Sequence, residues 1–181
     1  RKIGVLTEEL PLYERLSGEE HLLFAARMHG LARPEARRRT EELLDFLSLA
    51  AERGKLVVDY SQGMKKKLAL ACALVHGPSV LFLDEPLNGI DPVSGRVVSA
   101  LLRRLTARGV TLFFTSHVLD VVERVCHRVA IIAQGKLLVD GTPAELLRQH
   151  SASTLEQLFT RLTGVAGHEA RAADFAKHLL P

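Results

Sequence analysis

Two acids, Asp84 and Glu85, directly follow the apolar run Val80-Leu81-Phe82-Leu83. Acids at the carboxyl end of a strand stand where ligands bind in open α/β sheets. Two adjacent carboxylates there can divide labour: one binds Mg²⁺ directly or through water, and the other polarises an attacking water. Taken alone, the pair is equally a strand that emerges into a polar turn. Ser116-His117 ends the next apolar run, Thr111 to Thr115. Neighbouring strand ends can bring His117 close to Glu85, where a neutral imidazole could hold a water or hydrogen-bond a phosphate. A lone His at a strand end is more often structural or exposed.

A third group is Tyr60-Ser61-Gln62-Gly63-Met64, followed by Lys65-Lys66-Lys67 and an apolar helical run. A capping Ser beside a Gly leaves free N–H groups at a helix N-terminus, a ready anion site. The three lysines oppose the helix dipole, each by about 0.3–1 kcal/mol if exposed. They read as a solvated basic face.

The elements that must position these groups follow from pattern. Ser17-Gly18-Glu19-Glu20 is a capping box for a helix that stops at Gly30, and Pro34 opens a second helix. Leu56 to Val58 reads as a short extended piece, and Ser61 caps a helix running from about Gly63 to His76. Val80–Leu83 and Thr111–Thr115 are apolar on both faces, as in a parallel sheet covered by helices. Between them Asp91 caps a helix with Pro92 at its first position, and Gly109 closes it. The alternation of strand and helix is the doubly wound α/β pattern. Arg128–Ala133 and Lys136–Val139 flank Gln134-Gly135 as a hairpin expected at the sheet edge. Thr142 and Ser153 each begin a further capping box.

Composition narrows the function classes. The 181 residues are 47% hydrophobic with no Trp, so Leu, Val and Ala fill the core. A net charge of +3 is too mild to indicate nucleic-acid binding. Cys72 and Cys126 lie in apolar helical runs without metal spacing, which suits a reducing compartment. No apolar run approaches the roughly 18–20 residues that span a bilayer.

Together the motifs resemble the ATP-binding subunits of ABC transporters. Tyr60–Met64 resembles the signature motif, Val80–Glu85 the Walker B motif, Leu87–Pro92 the D-loop and Ser116-His117 the switch-histidine region. Ile3–Tyr13 resembles the Q-loop, with Glu8 in place of its Gln. The resemblance implies a P-loop NTPase-like (RecA-like) partial parallel sheet with flanking helices and a helical signature subdomain. It implies three segments: 1–77 with the Q-loop and signature, 78–150 with the rest of the ATPase core, and 151–181 as a helical tail.

The cofactors implied are ATP and Mg²⁺. Asp84 would help hold Mg²⁺, Glu85 would activate the hydrolytic water, and His117 would contact the γ-phosphate. Ser61, Gln62 and Gly63 would face a nucleotide held by a second ATPase subunit, as homodimer or heterodimer, with Asp91 at that interface. Glu8 accepts where an amide could also donate. A membrane permease is the other implied partner, nucleic acid is not expected, and the place is peripheral on the cytoplasmic membrane face. No G-x-x-x-x-G-K-[ST] occurs in the chain. With Arg1 at the start instead of Met, the phosphate loop is expected upstream, together with the strand beside Val80–Leu83, which should leave an open apolar edge. The alternatives are a non-catalytic module that donates a signature motif or binds a partner, and a soluble ABC ATPase outside transport.

Overall fold

The computed structural model describes residues 2–164 and falls into two compact units, one ending at His117 and the other beginning at Val118.

In the first unit, β1 (Ile3–Leu6), β2 (Val80–Asp84) and β3 (Thr111–Thr115) form a parallel sheet in that order. β2 is therefore central. This corrects the expected open edge beside Val80–Leu83, because the short Ile3–Leu6 run itself fills that place. The α-helices are α1 (Gly18–Met28), α2 (Arg33–Phe46), α3 (Gln62–Leu74) and α4 (Pro92–Ala107). Ser17 closes a reciprocal capping box with Glu20, and Pro34 lies in the first turn of α2. Leu56–Val58 is not extended: Val57–Asp59 is a short 3₁₀ turn, and only Leu56 bridges, to Ser17.

The core lies on one face of the sheet. Leu6, Leu81 and Leu83 are buried there, and Leu22, Leu44, Leu68 and Leu70 are buried among the helices. Gly4 is where α3 crosses β1, since a Cβ would stand 2.2 Å from the Ala73 carbonyl oxygen. The other face keeps Ile3, Val5, Phe82 and Phe113 exposed, with the two Phe rings stacked at 4.8 Å. The expectation of helices over both faces is thus met on one.

In the second unit, α5 (Leu119–Val125) precedes β4 (Val129–Ala133) and β5 (Lys136–Gly141), followed by α6 (Pro143–Gln149) and α7 (Leu155–Thr163). Gln134 and Gly135 both take positive φ, the requirement of a tight hairpin turn. β4 and β5 form their own two-stranded sheet, and do not extend the edge of the first as the pattern suggested. Arg128 pairs with both oxygens of Asp140 across the strands at 2.9 and 2.8 Å. Thr142 closes the predicted capping box with Glu145. The last cap falls one residue late: Thr154, not Ser153, accepts from the N3 amide, that of Gln157. That phase buries Leu155 and Leu158, and apolar burial outweighs a choice between two similar caps. Cys126 ends α5 with extended backbone instead of lying inside a helix, and both cysteines are free. Of the tail predicted for 151–181, residues 165–181 lie outside the described residues.

Candidate functional site

Parallel register brings the carboxyl ends of all three strands to one side. Leu6 stands opposite Leu83, and Asp84 opposite Thr115. The Thr115 hydroxyl donates to Asp84 Oδ1 in a short hydrogen bond. The Glu85 amide donates to the Thr115 carbonyl at 3.2 Å. Glu85 itself has φ 46°, a left-handed conformation that a non-glycine residue holds only at some cost. This turn swings its side chain across to the end of β3. One carboxylate oxygen accepts from the His117 amide at 2.8 Å, and the other lies 2.9 Å from His117 Nδ1. His117 Nδ1 is thus directed at Glu85, and the ring that carries Nε2 is 66% exposed. The carboxylate, 18% exposed, is held on both oxygens by these two contacts.

The Leu87–Asp91 loop is held by its own backbone. Asn88 N–H donates to the Glu85 carbonyl and Ile90 N–H to that of Leu87, with Gly89 at φ 76°. Asp91 then caps α4, accepting from Ser94 N–H at 2.9 Å. Hydrogen bonds from Ser94, and after them the Lys67 ammonium, hold its carboxyl down at about 2.

At the start of α3, Ser61 Oγ accepts from Met64 N–H at 3.2 Å. Gln62 is exposed, and a Cβ on Gly63 would stand 2.8 Å from the Gly89 carbonyl oxygen. The lysines are not the solvated face that composition suggests. Lys66 and Lys67 are 5% and 9% exposed. Lys66 Nζ donates to the Asp84 carbonyl at 3.4 Å, Lys67 Nζ lies 3.4 Å from Asp91 Oδ2, and Lys65 pairs with Glu14 at 3.0 Å. A buried ammonium needs such partners, and the carboxyl end of β2 with the following loop supplies them.

Asp84, Glu85 and His117 thus form one linked set, while Ser61, Gly63 and Asp91 lie on a second set where α3 meets the loop. Consecutive lysines tie the two sets together. Glu8 follows β1 in an exposed bend and, among the described residues, has no hydrogen bond or ion pair to the others. Thr115, Lys66 and Lys67 are the residues sequence reasoning missed. The signal was present for the lysines, because basic residues so near a helix N-terminus are unfavourable unless paired. Among the described residues no group of three His, Cys, Asp or Glu could hold a metal ion. The exposed carboxylate of Asp84 is instead an oxygen donor of the type that Mg²⁺ takes, and would be the residue to hold it.

The ABC transporter family model matches residues 1–88. The linearmycin resistance ATP-binding protein LnrL of Bacillus subtilis is 35% identical over 158 residues, 87% of this chain and 51% of that protein. The Nod factor export ATP-binding protein I of Burkholderia thailandensis is 36% identical over 159 residues, 88% of this chain and 52% of that protein. The chain therefore spans about half the length of the curated relatives it matches. A solved ATP-binding subunit of an ABC transporter superposes with TM-score 0.81 at 30% identity, covering 89% of this chain and 68% of that one. The P-loop NTPase-like α/β architecture read from the motifs is that of this neighbour, and the chain belongs to the family of ABC transporter ATP-binding subunits.

Proposed function

We propose that these residues form the hydrolytic and partner-facing part of an ATPase subunit that drives a membrane permease, in export as the name of the Nod factor export relative suggests. The observation that carries the reading is Glu85, turned by its left-handed backbone onto His117 at the strand ends beside Asp84. Glu85 accepts the proton of the attacking water. His117 keeps the carboxylate aimed, and where Nε2 also carries a proton its N–H donates to the γ-phosphate. Asp84 would hold Mg²⁺, which when bound offsets charge developing on the phosphate oxygens. Glu8 serves as an acceptor for water or cation at the end of β1.

Ser61, Gln62 and Gly63 face the γ-phosphate of ATP held by a second subunit, using the free amides at the start of α3. Asp91 stands at that dimer interface. Among the described residues no helix is long and apolar enough to cross a membrane, which fits a peripheral place on the cytoplasmic face beside the permease. A nucleic-acid partner does not fit the mild charge.

The 181 residues contain no G-x-x-x-x-G-K-[ST] loop. By themselves they therefore bind ATP weakly and hydrolyse none, and titration calorimetry giving micromolar affinity would overturn this. That observation also supports a second reading, in which the chain acts as a signature-donating module. In the complete cassette, Glu85→Gln abolishes turnover and keeps ATP binding. Unchanged turnover removes Glu85 from the catalytic role.

A further inference from the structure

Lys67 does work that the reaction scheme above leaves unassigned. Its side chain is only 11% exposed, and its ammonium lies 3.4 Å from Asp91 Oδ2. The other oxygen of Asp91 accepts from Ser94 N–H and so starts α4. One carboxylate thus joins two helices. A second point of approach lies one helical turn earlier on the same face of α3, where Gly63 meets the Gly89 carbonyl. Two contacts four residues apart on a helix set its orientation as well as its position. The loop between them is already closed by its own hydrogen bonds, from Asn88 to Glu85 and from Ile90 to Leu87. The neighbouring Lys66 reaches the Asp84 carbonyl, which ties the same helix to the end of β2.

We propose that Lys67 is a positioning residue that locks the start of α3 and the Leu87–Asp91 loop into one rigid block, presenting Ser61–Gly63 and Asp91 together to the nucleotide of the partner subunit. The inference rests on the partner-facing role proposed above. Physically, removing either charge leaves, of the two contacts described, the van der Waals approach at Gly63, and the two segments then turn more freely against each other. The Asp91 cap on α4 is the feature that makes this measurable from a distance.

The test is amide hydrogen exchange on the whole 181-residue chain, read across the block. Lys67→Met quickens exchange of the Ser94 amide, which Lys67 does not touch, about tenfold, the scale of losing one charge-assisted hydrogen bond. Asp91→Asn keeps a capping side chain yet quickens the Met64 amide on α3 by a similar factor. Lys67→Arg restores both, and the double variant is no faster than either single one. Amides of α1, including that of Leu22, stay unchanged, which separates a local lock from general loss of stability. Should Lys67→Met fail to fold, Asp91→Asn read at Met64 decides alone. An unmoved Ser94 or Met64 amide, or an equal rise at α1, overturns the proposal.

In the complete cassette assembled as a dimer, Lys67→Met lowers kcat about tenfold with KM unchanged, and Lys67→Arg recovers most of it. Glu85→Gln is assayed beside it. If that variant still turns over, the reading of the site fails while the exchange data still judge the lock. If Glu85→Gln is inactive and Lys67→Met keeps full kcat, the lock has no bearing on turnover and the proposal falls.

Discussion

Replacing Gly63 by Ala sets two terms against each other, and the structure decides between them. Gly63 is the second residue of α3, where Ala ordinarily gains about 0.5–1 kcal/mol by restricting the unfolded chain and by helix propensity. The new Cβ, however, meets the Gly89 carbonyl oxygen at 2.8 Å, a backbone atom that cannot rotate away. Restoring ordinary contact requires the loop or the helix to shift by roughly 0.6 Å. Shifts of this kind in packed regions cost about 1–3 kcal/mol. The net expectation is a loss of about 1–2 kcal/mol.

Gly95, inside α4, supplies the control. A Cβ there meets nothing within 4 Å, so Gly95→Ala keeps the whole helical gain of about 0.5–1 kcal/mol. The two Gly→Ala variants should therefore move the urea midpoint in opposite directions. Far-UV circular dichroism at pH 7 is the assay, since the chain has no Trp to report by fluorescence. Equal slopes of free energy against denaturant would show that stability changed while the compactness of the unfolded chain did not. If Gly63→Ala is as stable as Gly95→Ala, the close approach of α3 to the Leu87–Asp91 loop is wrong, and the proposed block loses one of its two points.

Acid sensitivity follows from the histidines. Burial lowers the pKa of His21 and His76, and also of His29, whose ring stacks on His76 at 3.8 Å. Above the ordinary value of 6.5 both folded and unfolded chains hold neutral rings; below it the unfolded chain takes protons that the fold resists. Stability is therefore full above pH 6.5 and falls as the pH drops through the lowered values, and the urea midpoint at pH 5.5 lies below that at pH 7. The carboxylates of Glu35 and Asp91, both held down at about 2, keep their contribution throughout this interval and lose it only as the pH falls below their unfolded values near 4. Replacing His21 and His76 by Gln flattens the slope, and an unchanged midpoint in the parent chain between the two pH values refutes the account. Leu81, 1% exposed on the central strand, costs about 2–5 kcal/mol when cut to Ala, as urea titration reads it. A loss under 1 kcal/mol would mean that this face of the sheet is not core.

Local signals located most elements because each is settled within a turn of chain. Ser17, Ser61, Asp91 and Thr142 cap the helices they announce, since a side-chain oxygen reaches an amide three residues on whatever lies beyond. The Gln134-Gly135 turn was legible for the same reason: positive φ at both positions is a local demand. The acids Asp84 and Glu85, the Ser116-His117 pair and the Tyr60–Met64 motif were equally legible, as residue types at fixed spacing.

What those residues touch depends on long-range packing. Which strand lies beside β2 depends on pairing over more than seventy residues of chain, and β1 took the place that sequence order left open. The hairpin closed on itself because nothing in its alternation specifies which sheet it joins. Lys66 and Lys67 looked like solvent-facing charge. Burial and two carbonyl or carboxylate partners, set by the crossing of α3 over the end of β2, made them structural. The chemical groups, and the helices and turns that carry them, are therefore readable from residue order, because those depend on neighbours in the chain. The grip of His117 on Glu85 and of Lys67 on Asp91 required long-range packing, because distance between charges is a property of the fold.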